Sequence, residues 1–441
     1  MKAVKNHAIL SVALVLITMS TALVAQQPKE FVSFRDFIAN TTTADSGQYL
    51  AGSSSHVKDA ESLEQMRQHI LTMYQGVEVS HSFLLHSQYF DCVSVAQQPS
   101  VRLLHLKSVA SVPPQSAVPP KGLGDDQITG KSAASASQLA PGDEFDSFGN
   151  SVQCEDHTIP MRRITLEELS HFKTLQQFFE KGPNGTGRAP DPGKPQPPSV
   201  AHKYAYTYQY VNNLGGNSSL NLWSPYVNNV WFIGEVFSLS QQWYVGGNQT
   251  AEGGWQNYPS KYGSENAALF IYWTADGYQK TGCYNLDCAA FVQVNHNWFF
   301  GSGFANYSVN GGAQYQLPMQ WYLYAGNWWL QLGGQWVGYY PGSIYQGGQM
   351  SGNAQLIEYG GETVGSWIWP PMGSGQFANT GWTHAAYQNN IWYRDTASNT
   401  YWASLTAAQP SPSCYTDAGP AWGGSGWGIY FFFGGPGGTG C

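Results

Sequence analysis

Charged side chains are few. Of 441 residues, 20 are Lys or Arg and 28 are Asp or Glu. That is 11% charged, against roughly a quarter in an ordinary soluble domain. The net charge of −8 offers no basic surface for nucleic acid or anionic lipid. Apolar runs long enough to cross a membrane are missing after Val24, and mature-protein membrane anchoring is not expected. Histidines number 11, yet none falls in a His-Glu-x-x-His pattern or at metal-ligand spacing, so no metal site and no cofactor is expected. There is no Gly-x-Ser-x-Gly elbow. With only His202, His296 and His384 after residue 198, a serine-type triad has little to draw on.

Aromatic residues, by contrast, make up 15% of the chain and glycines number 50. Low charge with many Gly, Ser, Asn, Gln, Tyr and Trp residues describes a secreted β protein. The start of the chain agrees. Lys2 and Lys5 precede an apolar stretch from Ala8 to Val24, and small residues lie around Ala25. This reads as a secretory signal peptide over 1–25, which places the mature protein outside the cell. The six cysteines then face an oxidising compartment and are expected to pair. Grouped by region, they pair as Cys92 with Cys154, Cys283 with Cys288, and Cys414 with Cys441.

Residues 26–181 read as a smaller α+β domain. Leu63, Met66, Ile70 and Met73 recur at helical spacing. The stretch 106–150, rich in Ser, Ala, Pro and Gly, reads as flexible. Thr165 to Glu168 forms a capping box. Leu166, Leu169, Phe172, Leu175 and Phe179 make one helical stripe ending at Gly182. Residues 182–198 are a Pro/Gly-rich linker, extended and open to proteolysis. From 199 to 441 strand signals dominate. Tyr204, Tyr206, Tyr208 and Tyr210 alternate with period two, and Gly, Asn and Pro clusters separate many short runs. The expected fold is mainly β, and many short strands separated by turn signals mean a β-sandwich or a barrel.

The β half holds nine acids: Glu235, Glu252, Glu265, Asp276, Asp287, Glu358, Glu362, Asp395 and Asp417. Asp276 and Asp395 sit in turns that they can cap. Asp287 lies inside the Cys283–Cys288 loop, and Glu265 and Asp417 lie in loops. Glu235 starts a strand. Glu358 shares a strand face with Glu362 unless the glycines between them break the parity. Glu252, in Ala251-Glu252-Gly253-Gly254-Trp255-Gln256, and Glu362, in Glu358-Tyr359-Gly360-Gly361-Glu362, stand beside glycines and aromatics where backbone or substrate can come close. Spacing alone leaves several readings open. Two carboxylates also serve glycosidases, and aromatic β-sandwiches bind sugars, so a carbohydrate-active or carbohydrate-binding protein is the alternative.

Further segments narrow the choice. They are Lys203-Tyr204-Ala205, Ser219 to Val227, Phe237 to Gln241, Glu252 to Tyr258, Tyr272 to Asn285, Gly326 to Gln331, Glu358 to Glu362, Met372 to Gly375 and Phe433 to Gly437. Together they resemble the catalytic domain of the neprosin family of glutamic peptidases. Asp91-Cys92-Val93 and Thr158-Ile159-Pro160-Met161-Arg162-Arg163 are similar to that family's activation peptide. The resemblance implies an antiparallel β-sandwich of two sheets, with Glu252 and Glu362 as the catalytic pair. It also implies that proline-containing peptides are cut after proline at acidic pH, and that the N-terminal half is a propeptide inhibiting its own chain. Gly253 stands where an alanine is expected in plant members. Gln256 is the candidate oxyanion donor. Trp255, Tyr258 and Tyr272 are the candidate substrate-binding faces.

Overall fold

The structure is a computed structural model, and it describes residues 30–52, 55–114, 118–122, 131–182, 202–228 and 236–441. The expected leader, nearly all of the linker and Glu235 lie outside the described residues.

The N-terminal region contains α1 (Phe34–Thr43), α2 (Ser46–Leu50), α3 (Ala60–Tyr74), β1 (Val79–Leu85), β2 (Gln88–Ser94), α4 (Pro99–Leu103), β3 (Ala134–Ser135), β4 (Thr158–Arg162), α5 (Leu166–Ser170) and α6 (Leu175–Phe179). In α3 the Asp59 side chain accepts the Ser62 N–H, and the expected stripe of Leu63, Met66, Ile70 and Met73 is buried. β2 is the middle strand of an antiparallel sheet with β1 and β4. Here Cys92 pairs opposite Pro160 and Asp91 opposite Met161. Cys92 is bonded to Cys154. Arg163 donates to both Asp91 oxygens, at 2.5 and 2.9 Å, in a fully buried fork. A fork with two parallel N–H donors is the strong form of such a pair.

The single stripe expected over 166–179 is two short helices. Thr165 caps α5 by accepting from Glu168 N, and Thr174 caps α6 by accepting from Gln177 N. A second N-cap inside the run offers the backbone a fresh start, and α6 buries Phe178 instead of Leu175 or Phe179. After α6 the chain turns extended at Glu180 and brings Lys181 into the β half.

The stretch read as a flexible loop, where described, lies along the β half. Lys131 stands over the rings of Tyr430, Trp427 and Phe432 at 4.4 to 5.6 Å. The Gln138 carboxamide donates to three carbonyls from Phe299 to Gly303.

The C-terminal half contains β5 (His202–Asn221), β6 (Phe237–Gly246), β7 (Gln249–Asn257), α7 (Pro259–Tyr262), β8 (Ala268–Thr274), β9 (Cys283–Tyr284), β10 (Val292–Gln293), β11 (Tyr315–Tyr324), β12 (Asn327–Leu332), β13 (Gln335–Pro341), β14 (Ala354–Val364), β15 (Ile368–Trp369), β16 (Ala386–Asp395), β17 (Thr400–Trp402), β18 (Thr406–Ala408), β19 (Thr416–Trp422), β20 (Ile429–Gly434) and β21 (Gly438–Thr439). The fold is mainly β and antiparallel, as expected. The two anticipated sheets are one continuous curled sheet of 16 strands, one of which, β3, is a parallel edge contributed by the N-terminal region. Its joint is β5, whose 20 residues pair first with β14 and then with β11 and β16. The layers so formed face each other: Met319 and Trp321 of β11 reach Gly253 of β7. Between them lies an aromatic core that includes Trp255, Trp321, Trp328 and Phe431. Cys283–Cys288 and Cys414–Cys441 are the other two bridges.

Candidate active site

Glu252 stands on β7 and Glu362 on β14, with β6 hydrogen-bonded between those strands. The register lines up three rows. Glu358, Trp243 and Glu252 form one, Gly360, Gln241 and Gly254 the next, and Glu362, Leu239 and Gln256 the third. Residues in register, or two apart along a strand, share a sheet face. The two glutamates therefore lie diagonally across a row of Gln241 and two glycines. Those glycines are required by the backbone, since a Cβ at Gly254 would sit 1.9 Å from the Ser240 carbonyl oxygen. The parity along β14 is unbroken, which puts Glu358 in line with Glu252 across Trp243.

One cation joins the pair. The Lys181 ammonium donates to Glu252 Oε2 at 2.5 Å and stands 2.9 Å from Glu362 Oε2. All three side chains are fully buried, and the ammonium lies 5.3 Å from the Trp243 ring centre. Glu252 Oε1 accepts from Thr250 Oγ1 at 2.7 Å and from the Tyr278 hydroxyl. Glu362 Oε1 is 2.5 Å from His202 Nδ1, and its Oε2 accepts from Gln241 at 3.2 Å. Burial pushes the Glu362 carboxyl up, but Lys181 and His202 more than offset this and hold it below the ordinary carboxylate value. Burial depresses Lys181, and the two glutamates outweigh that and raise it. The Tyr278 phenol is raised by burial and by the Glu252 charge, so it remains a donor.

The N-terminal region covers this face. Leu63, Phe172 and Phe178 pack in one cluster with Tyr204, Leu239, Trp243 and Tyr272. Beside it, Lys261 Nζ donates to the Phe178 carbonyl at 3.1 Å and pairs with Asp287 at 2.9 Å. Asp287 is thus more than a loop acid: Arg162 lies 3.8 Å from it while holding Glu168 at 2.7 Å. Asp276 and Asp395 do cap turns, the first accepting from the N–H groups of residues 279 to 281. Gly182, with φ +96°, passes so close to His202 that a Cβ there would sit 2.5 Å from Nε2.

The other candidates divide. Gln256 shares the face, but its carboxamide is engaged by Tyr262 and Tyr284 hydroxyls at 3.3 Å. Tyr272 is the cross-strand neighbour of Glu252 and donates to the Phe179 carbonyl at 3.2 Å. Tyr258 is buried in the same cluster, its ring 5.5 Å from Phe237. Trp255 is on the opposite face, where its N–H donates to the Asn221 carbonyl at 2.9 Å inside the core. It offers no surface to a substrate. Sequence reasoning missed Lys181, Tyr278, Gln241 and Thr250, and weighed His202 only for a triad.

The arrangement is a pair of carboxylates on a sheet face, neutralised by an internal ammonium and roofed by the chain's own N-terminal region. The neprosin family model matches residues 234–436. The C-terminal half therefore carries a neprosin domain, and a peptidase-type function goes with that membership. No helix among the described residues is long and apolar enough to cross a membrane.

Proposed function

We propose that the protein is a secreted glutamic endopeptidase, made as a zymogen and cutting on the carboxyl side of proline at acidic pH. The observation that carries the reading is the Lys181 ammonium shared by buried Glu252 and Glu362. Two carboxylates so close cannot both ionise readily once the ammonium leaves, so one keeps a proton across a wide acid range. The ionised carboxylate takes a proton from water, which attacks the scissile carbonyl. The protonated one polarises that carbonyl and then protonates the departing nitrogen. Their pKa values belong to the pair. A carboxamide on the same face holds the developing oxyanion: Gln256, or Gln241, which already donates to Glu362. Tyr272 and Tyr258, buried under the N-terminal region here, are the flat faces offered to a proline ring once it departs.

Residues 26–181 act as the inhibitor, and the cut falls in the linker near Ser199. The test is to incubate purified precursor at about pH 3 to 4, where carboxylates protonate, sequence the new N-terminus and assay proline peptides. Processing and turnover that persist with chelators and serine reagents support the reading. Wild type that stays full length yet is fully active rejects the inhibitor role. Sugar hydrolysis without proteolysis rejects the peptidase.

A further inference from the structure

A second aromatic groove lies apart from the glutamates and shares none of the residues that touch them. β17, Leu405, and Pro420 to Trp422 of β19 line a cavity of about 540 Å³. Trp402 and Trp422 meet edge to face with ring centres 5.1 Å apart. Part of the remaining wall is Pro120 and Lys121, from the chain's own N-terminal region. Two carbonyls of this segment are caught: Thr400 Oγ1 donates to the Val118 oxygen at 3.2 Å, and Trp402 Nε1 donates to the Lys121 oxygen at 2.8 Å. Val118 itself is 79% exposed, so its side chain is not what seats the segment.

The chemistry of Val118-Pro119-Pro120-Lys121 matches what holds it. Consecutive prolines fix φ near the polyproline II value and lack N–H groups, which leaves ring faces and carbonyls as the recognisable features. Aromatic grooves with donors aimed at carbonyls are how such segments are bound. We propose that this groove is a second peptide-binding site, taking proline-rich segments in polyproline II conformation. Val118–Lys121 lies along one side of it as an internal ligand, and, resting on the zymogen reading above, proline-rich regions of a substrate take its place once that segment leaves. The site binds without cutting, so its test is independent of the glutamate mechanism.

The test uses the full chain at neutral pH. Pro119→Gly with Pro120→Gly, on an exposed segment, destroys the preformed conformation and vacates the groove. A fluorescent peptide of residues 116–122 is then titrated and its anisotropy followed. Binding to the double-glycine chain is expected to be at least roughly tenfold tighter than to wild type, whose tethered segment competes at high effective concentration. Replacing both prolines of the peptide by alanine, or adding Trp402→Phe, is expected to weaken binding by about tenfold, the worth of one good contact or hydrogen bond. Should Trp402→Phe lower the melting temperature sharply, half-buried Thr400→Val supplies the same readout through the Val118 carbonyl. Absence of saturable binding to the folded double-glycine chain would overturn the proposal. So would equal binding of the proline-free peptide, indifference to the donor variants, or displacement of the peptide by a neutral glucan oligosaccharide.

Discussion

Lys181→Met should shift the pH at which the precursor opens. Methionine keeps most of the lysine's length and removes only the ammonium. In the wild type that ammonium serves Glu252 and Glu362 at 2.5 and 2.9 Å, all fully buried. Breaking a buried pair by removing one partner costs about 3 to 5 kcal/mol, because the charge left behind is uncompensated. Part of this is recovered when one glutamate takes up a proton, at about 1.4 kcal/mol per pH unit. A net loss near 3 kcal/mol is roughly a hundredfold rise in the open-to-closed ratio. The sign of the pH effect follows from Glu362, whose folded value is depressed. Its contribution to closure is present above the ordinary carboxylate pKa and is lost as pH falls through the folded value. Raised Lys181 stays charged throughout that range. Wild type should therefore open only below about pH 4, near the carboxylate range, while Lys181→Met opens about one to two units higher. The assay is a pH series on purified precursor, scored by gel for the fraction processed, with melting temperature and the Cys92–Cys154 bridge as fold controls. A folded Lys181→Met precursor with an unchanged processing midpoint would refute the claim that this ammonium holds the face closed.

Glu252→Gln and Glu362→Gln should each abolish peptidase activity without loss of fold, since an amide cannot exchange the proton. Glu358→Gln should be much milder, and if it is equally inactivating in a kinetic assay the wrong acid has been paired. Gly182→Ala places a Cβ 2.5 Å from His202 Nε2 at φ +96°. It should speed processing at a fixed acid pH, and an unchanged rate would show that the chain's path there is not constrained. Trp255→Phe removes the N–H that satisfies the buried Asn221 carbonyl and should cost about 2 to 3 kcal/mol in denaturant unfolding. Its KM should not move, and a large KM change would return Trp255 to the substrate.

The strands, the three cysteine pairs and α3 were legible because each rests on local pattern: period two, period 3.6, and grouping along the chain. The stripe from Leu166 to Phe179 misled because five apolar residues at helical spacing outweighed Thr174, a cap that is visible in the sequence. Trp255 misled for a reason that strand geometry could have corrected. It is three residues from Glu252, an odd number, so on an extended strand it faces the other way, whereas Gln256 does not. Tyr278 was hidden in a turn read only for its bend. Lys181 had no local signal, since it reaches Glu252 across 71 residues.

Yet scarcity of charge did contain a hint of it. The described β half has only four Lys or Arg residues: Lys203, Lys261, Lys280 and Arg394. Of these, the buried Lys261 is committed to Asp287, while Lys203 lies over Trp369 and Arg394 over Tyr322. A domain that buries two carboxylates side by side on one face, with none of its own Lys or Arg residues beside them, must borrow a counter-charge, lower its own charge by protonation, or both. With the N-terminal region in place the loan comes from Lys181. If, as proposed, that region departs on activation, His202 is the basic group left touching Glu362. Repulsion between the two carboxylates then favours uptake of a proton by one of them. On the proposed mechanism, the event that uncovers the face therefore also leaves one acid and one base on it, and acidity drives both.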